Sequence, residues 1–366
     1  MFARSMCTIV SAAIIGLTLA LSPAAQGVAD AQASYTIVDL GVSTPRAINR
    51  NGQVTGNRRF SPNHVADHAF RWNPASPNIF VDLGLPSGYK AGVGYGLNSQ
   101  GDVAGNASSP SGPSIGNHAV LWPAVGALQF IGPTKNSDLT SASAINDSKD
   151  VVGGRAAGAF LSKIVNGNRS LYTIGPGAAR AINTSGKILG YGNGSGYVWT
   201  PSGAPGVGTT SSLPSGYSAI SLNDLGALAG ERPYFVVAPW GPFDSVKPVV
   251  YFAGGPLGDG ASWLDIPWPA AVEGYEWIWG GAHAINSSGV VVGASARVDP
   301  DGYDTYATWI WDAVNGTRNL DDLIPSGTGW TLFNLNGPPT TINDNGWIAG
   351  TGTLNGQKRG FVLIPN

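Results

Sequence analysis

Charge is scarce in this chain. Charged residues make up 11% of its 366 residues, against roughly 25% in an ordinary soluble domain. The 20 Lys and Arg nearly balance the 22 Asp and Glu, for a formal charge of −2. Such a balance leaves no basic footprint for a phosphate backbone, so nucleic acid is excluded as the expected partner. Cysteine occurs once, as Cys7, and methionine twice, as Met1 and Met6. All three fall within an N-terminal stretch with the features of an export signal. Arg4 supplies positive charge, Ile9 to Leu21 is mostly apolar, and Ala31-Gln32-Ala33 is a small-residue cleavage site. We expect residues 1–33 to be removed and the protein to be secreted or periplasmic, without thiol, disulfide or thioether. The apolar run is too short for a comfortable membrane span and no second one follows, so no span is expected after cleavage. Without disulfides, residues 34–366 must be held by their core alone. Also missing are a nucleophile elbow, a phosphate loop and zinc-ligand spacing.

What is abundant is glycine, at 53 residues, with 26 prolines and enough Val, Ile, Tyr, Trp and Phe for a large core. That mixture favours short strands and tight turns. One phrase organises it: an aliphatic residue, Asn, two more residues and Gly. It occurs with Asn49, Asn98, Asn146, Asn183, Asn223, Asn286 and Asn343, and Lys149 takes the Gly position in the third copy. Asn and Gly suit the positive φ of a tight corner. Each turn leads to an extended segment closed by Gly56, Gly105, Gly153, Gly190, Gly230, Gly293 or Gly350. A third strand follows in every unit, as in His68-Ala69-Phe70-Arg71-Trp72, and a fourth in most, as in Val81-Asp82-Leu83-Gly84. In the sixth unit the fourth strand is expected at Leu320 to Leu323. The seventh unit lacks a fourth strand, whereas an unpaired copy, Tyr35 to Gly41, stands at the N-terminus. The count balances if that first strand completes the last unit. Four-stranded units of about 40–50 residues are the mark of propeller blades, whose closure protects sheet edges. The expected fold is all-β: one domain over 34–366, a seven-bladed β-propeller closed by its N-terminal strand.

The Ala-Ile-Asn-x-x-Gly turn, the His-Ala-Phe-x-Trp strand and the Asp-Leu-Gly strand resemble the extracellular HAF-repeat family. So do Asn319 to Trp330 and Gly352 to Gln357. The resemblance covers the chain beyond residue 33 and is most specific in units one, two, six and seven. It implies an exported repeat protein and carries over no activity and no catalytic residue.

With the N-terminal strand outermost, the strand before each Asn is innermost. The Asn turns then share one rim, and the long, variable loops occupy the other, where binding normally resides. Three places before each Asn the residue changes from unit to unit: Arg46, Tyr95, Ser143, Arg180, Ile220, His283 and Thr340. Such positions should face the axis or the adjoining blade. Arg46, Tyr95, Arg180 and His283 together would suit an anionic ligand, or β-elimination on a uronate, since Arg binds carboxylates bidentately and His or Tyr moves protons. The competing reading has the arginines bridging blades while Tyr95 and His283 pack.

Aromatic residues crowd the later loops: Tyr234, Trp240, Trp268, Tyr275, Trp277, Trp279 and Trp330. Their flat faces suit sugar rings, and they equally suit loops that pack upon themselves. Asp299, Asp301 and Asp304 surround a Gly turn and make a candidate calcium loop, although the order departs from the usual one. No other cofactor is expected. His68 and His118 occupy equivalent repeat positions and read as structural, and His64 has no visible partner.

These features favour a non-catalytic, exported binding protein with a carbohydrate ligand, expected to be a monomer that meets an extracellular polysaccharide or a cell-surface protein. The alternative is a polysaccharide lyase or glycoside hydrolase acting on an anionic, uronate-containing glycan. Whether Arg46, Tyr95, Arg180 and His283 meet in one open funnel separates the two.

Overall fold

The computed structural model describes residues 34–108, 117–134, 138–238, 241–252, 262–270, 274–299, 301, 304–333 and 340–366. The expected export signal, Trp240, and Pro300, Gly302 and Tyr303 lie outside them. Among the described residues the chain is a succession of short antiparallel strands with no α-helix, so no helix is long and apolar enough to cross a membrane.

The first sheet pairs Ser43–Ile48, Val54–Arg58, His68–Trp72 and Phe80–Asp82 in chain order. Four-stranded sheets of the same order begin at Ala91–Leu97, Ser218–Leu222 and Glu276–Ile285. The third and fourth units are linked by one pairing, Gly154 with Ala178, into a larger sheet. In the last sheet Tyr35–Asp39 lies against Gln357–Pro365, in register from Tyr35 opposite Pro365 to Asp39 opposite Phe361. The unpaired N-terminal strand of the sequence thus pairs with the C-terminal strand. The sixth unit corrects one expectation. Its fourth strand is Gly316–Asn319, and Leu320–Leu323 forms a 3-10 turn. The cause is local: the Asn319 side chain accepts from the Asp321 backbone N–H, capping the turn.

The seven asparagines are buried, and each does the same two things. Its side-chain oxygen accepts from backbone N–H groups within its own turn, as Asn343 does from Asn345 and Trp347. Its amide donates to the backbone carbonyl of the next turn asparagine. The bonds run Asn49 to Asn98, Asn98 to Asn146, Asn146 to Asn183, Asn183 to Asn223, Asn223 to Asn286, Asn286 to Asn343, and Asn343 back to Asn49. This cycle explains the choice of Asn, whose amide sets a separate acceptor and a separate donor on a short stem. Gly52, Gly101, Gly186, Gly226, Gly289 and Gly346 take positive φ at the turn, and Lys149 takes the same conformation at φ 61°.

The core is distributed in seams rather than gathered in one mass. Seven buried apolar clusters each join neighbouring units, and one joins the last to the first through Ile48, Val54, Phe70 and Trp72 against Ala349 and Val362. Apolar residues on both faces of short strands are what such sandwiched sheets require.

The closing glycines have a specific role. Gly56, Gly105, Gly153, Gly190, Gly230 and Gly293 each pair with the inner-strand residue just before a β-bulge. A Cβ at Gly56, Gly105, Gly153 or Gly230 would collide with an inner-strand carbonyl oxygen, and one at Gly190 or Gly293 with the ring of Tyr197 or Trp309. The bulged residue skipped by the ladder is Arg46, Tyr95, Ser143, Arg180, Ile220 or His283. A bulge re-aims its side chain away from the regular alternation. Six of the seven positions that refuse to repeat are therefore bulge residues. Thr340, the seventh, is buried just ahead of the strand Thr341–Ile342.

Candidate functional site

Four consecutive bulge residues, Tyr95, Ser143, Arg180 and Ile220, line one open cavity of about 610 Å³ together with Ser141, Ser218 and Glu231. The bulges of the two flanking units adjoin it. Arg46 lays its guanidinium over the Tyr95 ring, 4.9 Å from the centroid. His283 approaches through Gly281: a Cβ added there would lie 3.3 Å from a Glu231 carboxylate oxygen, 3.9 Å from Trp279 and 4.0 Å from His283. The missing side chain of Gly281 leaves room for those three groups to gather.

The polar groups are partly committed to the scaffold. Arg46 Nε donates to Asn57 Oδ1 at 3.3 Å. Arg180 donates through Nη1 to Ser218 Oγ at 3.2 Å and to the Ala219 carbonyl at 3.0 Å, so it spans the seam to the next unit, and its guanidinium covers the Tyr191 ring at 4.7 Å. His283 Nδ1 accepts from the Thr340 backbone N–H at 3.3 Å, which fixes Nδ1 as the unprotonated nitrogen. Burial holds the imidazole neutral, lowering its pKa to about 4. That lone pair is unavailable for abstracting a substrate proton. Burial pushes the Glu231 carboxyl up from the ordinary range, opposed by the positive charge of Arg180.

Glu231 is the residue that sequence reasoning missed. It follows the closing Gly230, and in three other units the residue one place after the closing glycine also serves a bulge. Asn57 holds Arg46, Asn106 accepts from the Ala142 backbone N–H at 2.9 Å and donates to Ser141 Oγ at 2.7 Å, and Tyr191 lies under Arg180. This second position changes from unit to unit like the first, and that variation was the available signal.

The aromatic loop residues divide. Trp268 and Trp277 stack at 6.0 Å and 12°, and Tyr234 meets Trp268 edge-on at 6.1 Å. Arg297 lies over both Tyr275 and Trp277, at 4.9 and 5.3 Å, and Lys247 lies 5.6 Å from the Tyr234 ring. This ladder of rings and cations packs upon itself, with several faces already covered. Trp330 is apart from it, edge-on to the core residue Phe361 at 6.1 Å. Trp279 borders Gly281, as Glu231 and His283 do, beside the cavity.

The candidate calcium loop of Asp299, Asp301 and Asp304 includes residues outside the described ones; among the described residues a group of side chains that could hold a metal ion is His64, His68 and Asp82. Asp304 Oδ2 accepts from the Tyr306 hydroxyl at 3.2 Å. His118 is fully buried and contacts the Tyr89 hydroxyl through Nδ1 at 2.9 Å, a structural setting. His64 differs from its sequence reading: its ring stacks on His68 at 4.2 Å and 17°.

This architecture defines a β-propeller-like repeat protein. Among solved structures, YCF48 bound to D1 peptide is similar with a TM-score of 0.51 at 9% identity, over 91% of this chain and 95% of that one. A Trypanosoma rangeli sialidase in complex with 2,3-difluorosialic acid aligns over 89% of this chain and 54% of its own, at 8% identity and TM-score 0.34. The Podospora anserina α-L-arabinofuranosidase PaAbf62A in complex with cellotriose aligns over 74% and 88%, at 10% identity and TM-score 0.22. No protein-family model and no curated protein matches the sequence.

Proposed function

We propose that this chain is an exported, seven-bladed HAF-repeat propeller, fastened by its N-terminal strand, that binds an anionic carbohydrate at its axial cavity without turning it over. One observation carries the reading: the positions that vary while everything around them repeats are bulges, and four consecutive ones line a single open cavity. A scaffold needing only blade-to-blade bonds would repeat those positions as it repeats its asparagines. The cavity offers arginine, serine and tyrosine groups with the Glu231 carboxyl, a set able to serve sugar hydroxyls and a uronate carboxylate. Export fits residues 1–33, and an extracellular polysaccharide fits a monomeric protein of that destination.

The alternative is a polysaccharide lyase or glycoside hydrolase at the same cavity. The Glu231 carboxyl is the feature in its favour, since burial raises its pKa in the direction a general acid needs. The committed lone pair of His283 counts against a role as base. Exposing the purified chain to neutral and uronate-containing glycans, with binding and product formation followed together, tests both. Retention of a uronate glycan with no unsaturated or hydrolysed product is expected. Product formation overturns the non-catalytic reading, and failure to bind any glycan turns attention to a protein partner.

A further inference from the structure

A second cluster of chemistry-bearing side chains stands apart from the axial cavity, at the outer edge of the first unit. His68 begins the third strand, His68–Trp72, and Asp82 ends the fourth, Phe80–Asp82. The Asp82 carboxylate meets His68 Nδ1 at 3.0 Å through Oδ2 and at 3.2 Å through Oδ1. Asp82 Oδ1 also accepts from the Gly84 backbone N–H at 2.9 Å, which anchors the carboxylate and leaves Oδ2 the better-placed ligand. His64 comes from the loop between the second and third strands and stacks on His68. Its Nδ1 is buried and has no hydrogen-bond partner among the described residues. Buried polar atoms are almost always paired, so an orphaned imidazole nitrogen beside a His–Asp pair calls for an explanation.

We infer that His64, His68 and Asp82 form a binding site for a divalent transition-metal ion of the zinc class. One donor atom from each lies within 4.8 Å of the others. Atoms sharing a tetrahedral Zn2+ at about 2.0–2.2 Å sit roughly 3.3 Å apart. The His68–Asp82 pair already meets that spacing, so closure asks for a small shift of His64 alone. Two imidazoles and a carboxylate are a donor set suited to Zn2+ rather than to Ca2+ or Mg2+, which take oxygen ligands. Three protein ligands leave a fourth position to water or to a ligand oxygen.

The surroundings permit a cation. Arg58 is paired with His68 across the strands, and its guanidinium is drawn onto the Phe80 ring, 3.9 Å from the centroid. Asp67 engages Asn57 and Arg59, so loop charge nearby is neutralised. The equivalent position in the second unit shows what the site is not. There His118 is buried against Tyr89, with no second histidine opposite. Unit one departs from its own repeat by setting His64 beside an exposed His68–Asp82 pair. The chain has only 4 histidines, and its single cysteine is Cys7. His118 and His283 are committed elsewhere, so a nitrogen-ligated ion has one place to go.

Calorimetric titration of the purified, chelator-treated chain with Zn2+ alone tests this, with Co2+ absorption as a report on nitrogen ligation. One ion per chain is expected. His64→Ala and Asp82→Asn should each weaken binding at least about tenfold, with circular dichroism unchanged because His64 lies in a loop and Asp82 at a strand end. Absence of binding at millimolar Zn2+ would overturn the inference, and so would His64→Ala binding as tightly as the parent. This outcome is independent of glycan binding, which concerns the axial cavity.

Discussion

The amide of Asn343 donates to the backbone carbonyl of Asn49 at 2.8 Å, joining the last turn of the chain to the first across 294 residues of sequence. Its counterparts join every other pair of successive turns, so this bond is one of a set rather than a terminal latch.

Asn343→Ala should therefore destabilise the fold as much as Asn223→Ala, whose parent side chain donates to the Asn286 carbonyl and accepts from Ala227. Each variant removes one of two bonds to a carbonyl that keeps the Gly52 or Gly289 N–H, and strands one or more N–H groups, for a loss of about 1–3 kcal/mol. Urea unfolding monitored by tryptophan fluorescence gives the comparison. A negligible loss in Asn343→Ala beside a large one in Asn223→Ala would mean that the ring does not close there.

Gly153→Ala places a methyl group against the Ser141 carbonyl, on the ladder position facing the Ser143 bulge. The inner strand cannot retreat, because the bulge is pinned between Ala142 and Ala144. A loss of about 3 kcal/mol or failure to fold is expected, at the upper end of overpacking effects. Thermal unfolding of the variant measures it, and a tolerated methyl would show that the bulge can slide.

Lys149 occupies a glycine position at φ 61°, which costs about 1–2 kcal/mol for a residue with a side chain. Its ammonium lies 3.1 Å from the Asp102 carboxylate of the preceding unit, itself 1% exposed. The two effects oppose, so Lys149→Gly should be close to neutral in the parent and stabilising by about 1 kcal/mol in an Asp102→Asn background. A double-mutant cycle in urea reads the coupling directly. Equal effects in both backgrounds would show that the ion pair contributes nothing.

Acid should expose two buried groups in different windows. Burial lowers the His283 pKa to about 4, below its unfolded value of about 6.5. The unfolded chain then binds the extra proton between those values, so stability falls as pH drops from about 6.5 to 4, by roughly 2–3 kcal/mol. Asp102 acts lower. Burial alone would raise it, but the Ala124 N–H, the Asn98 amide and Lys149 together hold it below the ordinary carboxylate range. Its contribution is present above the unfolded value and is lost as pH falls through the folded one. His283→Gln should flatten the first window and Asp102→Asn the second, as seen in melting temperature against pH. Unchanged profiles would contradict both assignments.

The architecture was legible because each turn has a backbone demand that few residues meet. Asn supplies both bonds and Gly the positive φ, so seven copies survive in otherwise divergent units. The bulges were visible only as irregularity: Arg46 and Ile220 share a backbone geometry and no chemistry. Glu231 was hidden because its neighbours in other units, Asn57 and Tyr191, belong to different residue classes. The 3-10 turn at Leu320–Leu323 was read as a strand because Leu-Asp-Asp-Leu repeats the apolar pattern of its counterparts, whereas the Asn319 cap that diverts it acts through one side chain. The His64 pairing depends on how a loop folds back, which local sequence does not encode.

The most direct test of axial binding is the affinity of a uronate oligosaccharide for the parent chain and for Arg180→Gln, measured at matched ionic strength. Arg180 lines the cavity with Tyr95 and Glu231, and a charge-assisted bond to a carboxylate contributes about 1.5–3 kcal/mol. Saturable binding by the parent is expected, weakened about tenfold or more in Arg180→Gln when both proteins are measured well below their melting temperatures. Equal affinity in the two proteins would contradict a ligand seated on the bulge residues.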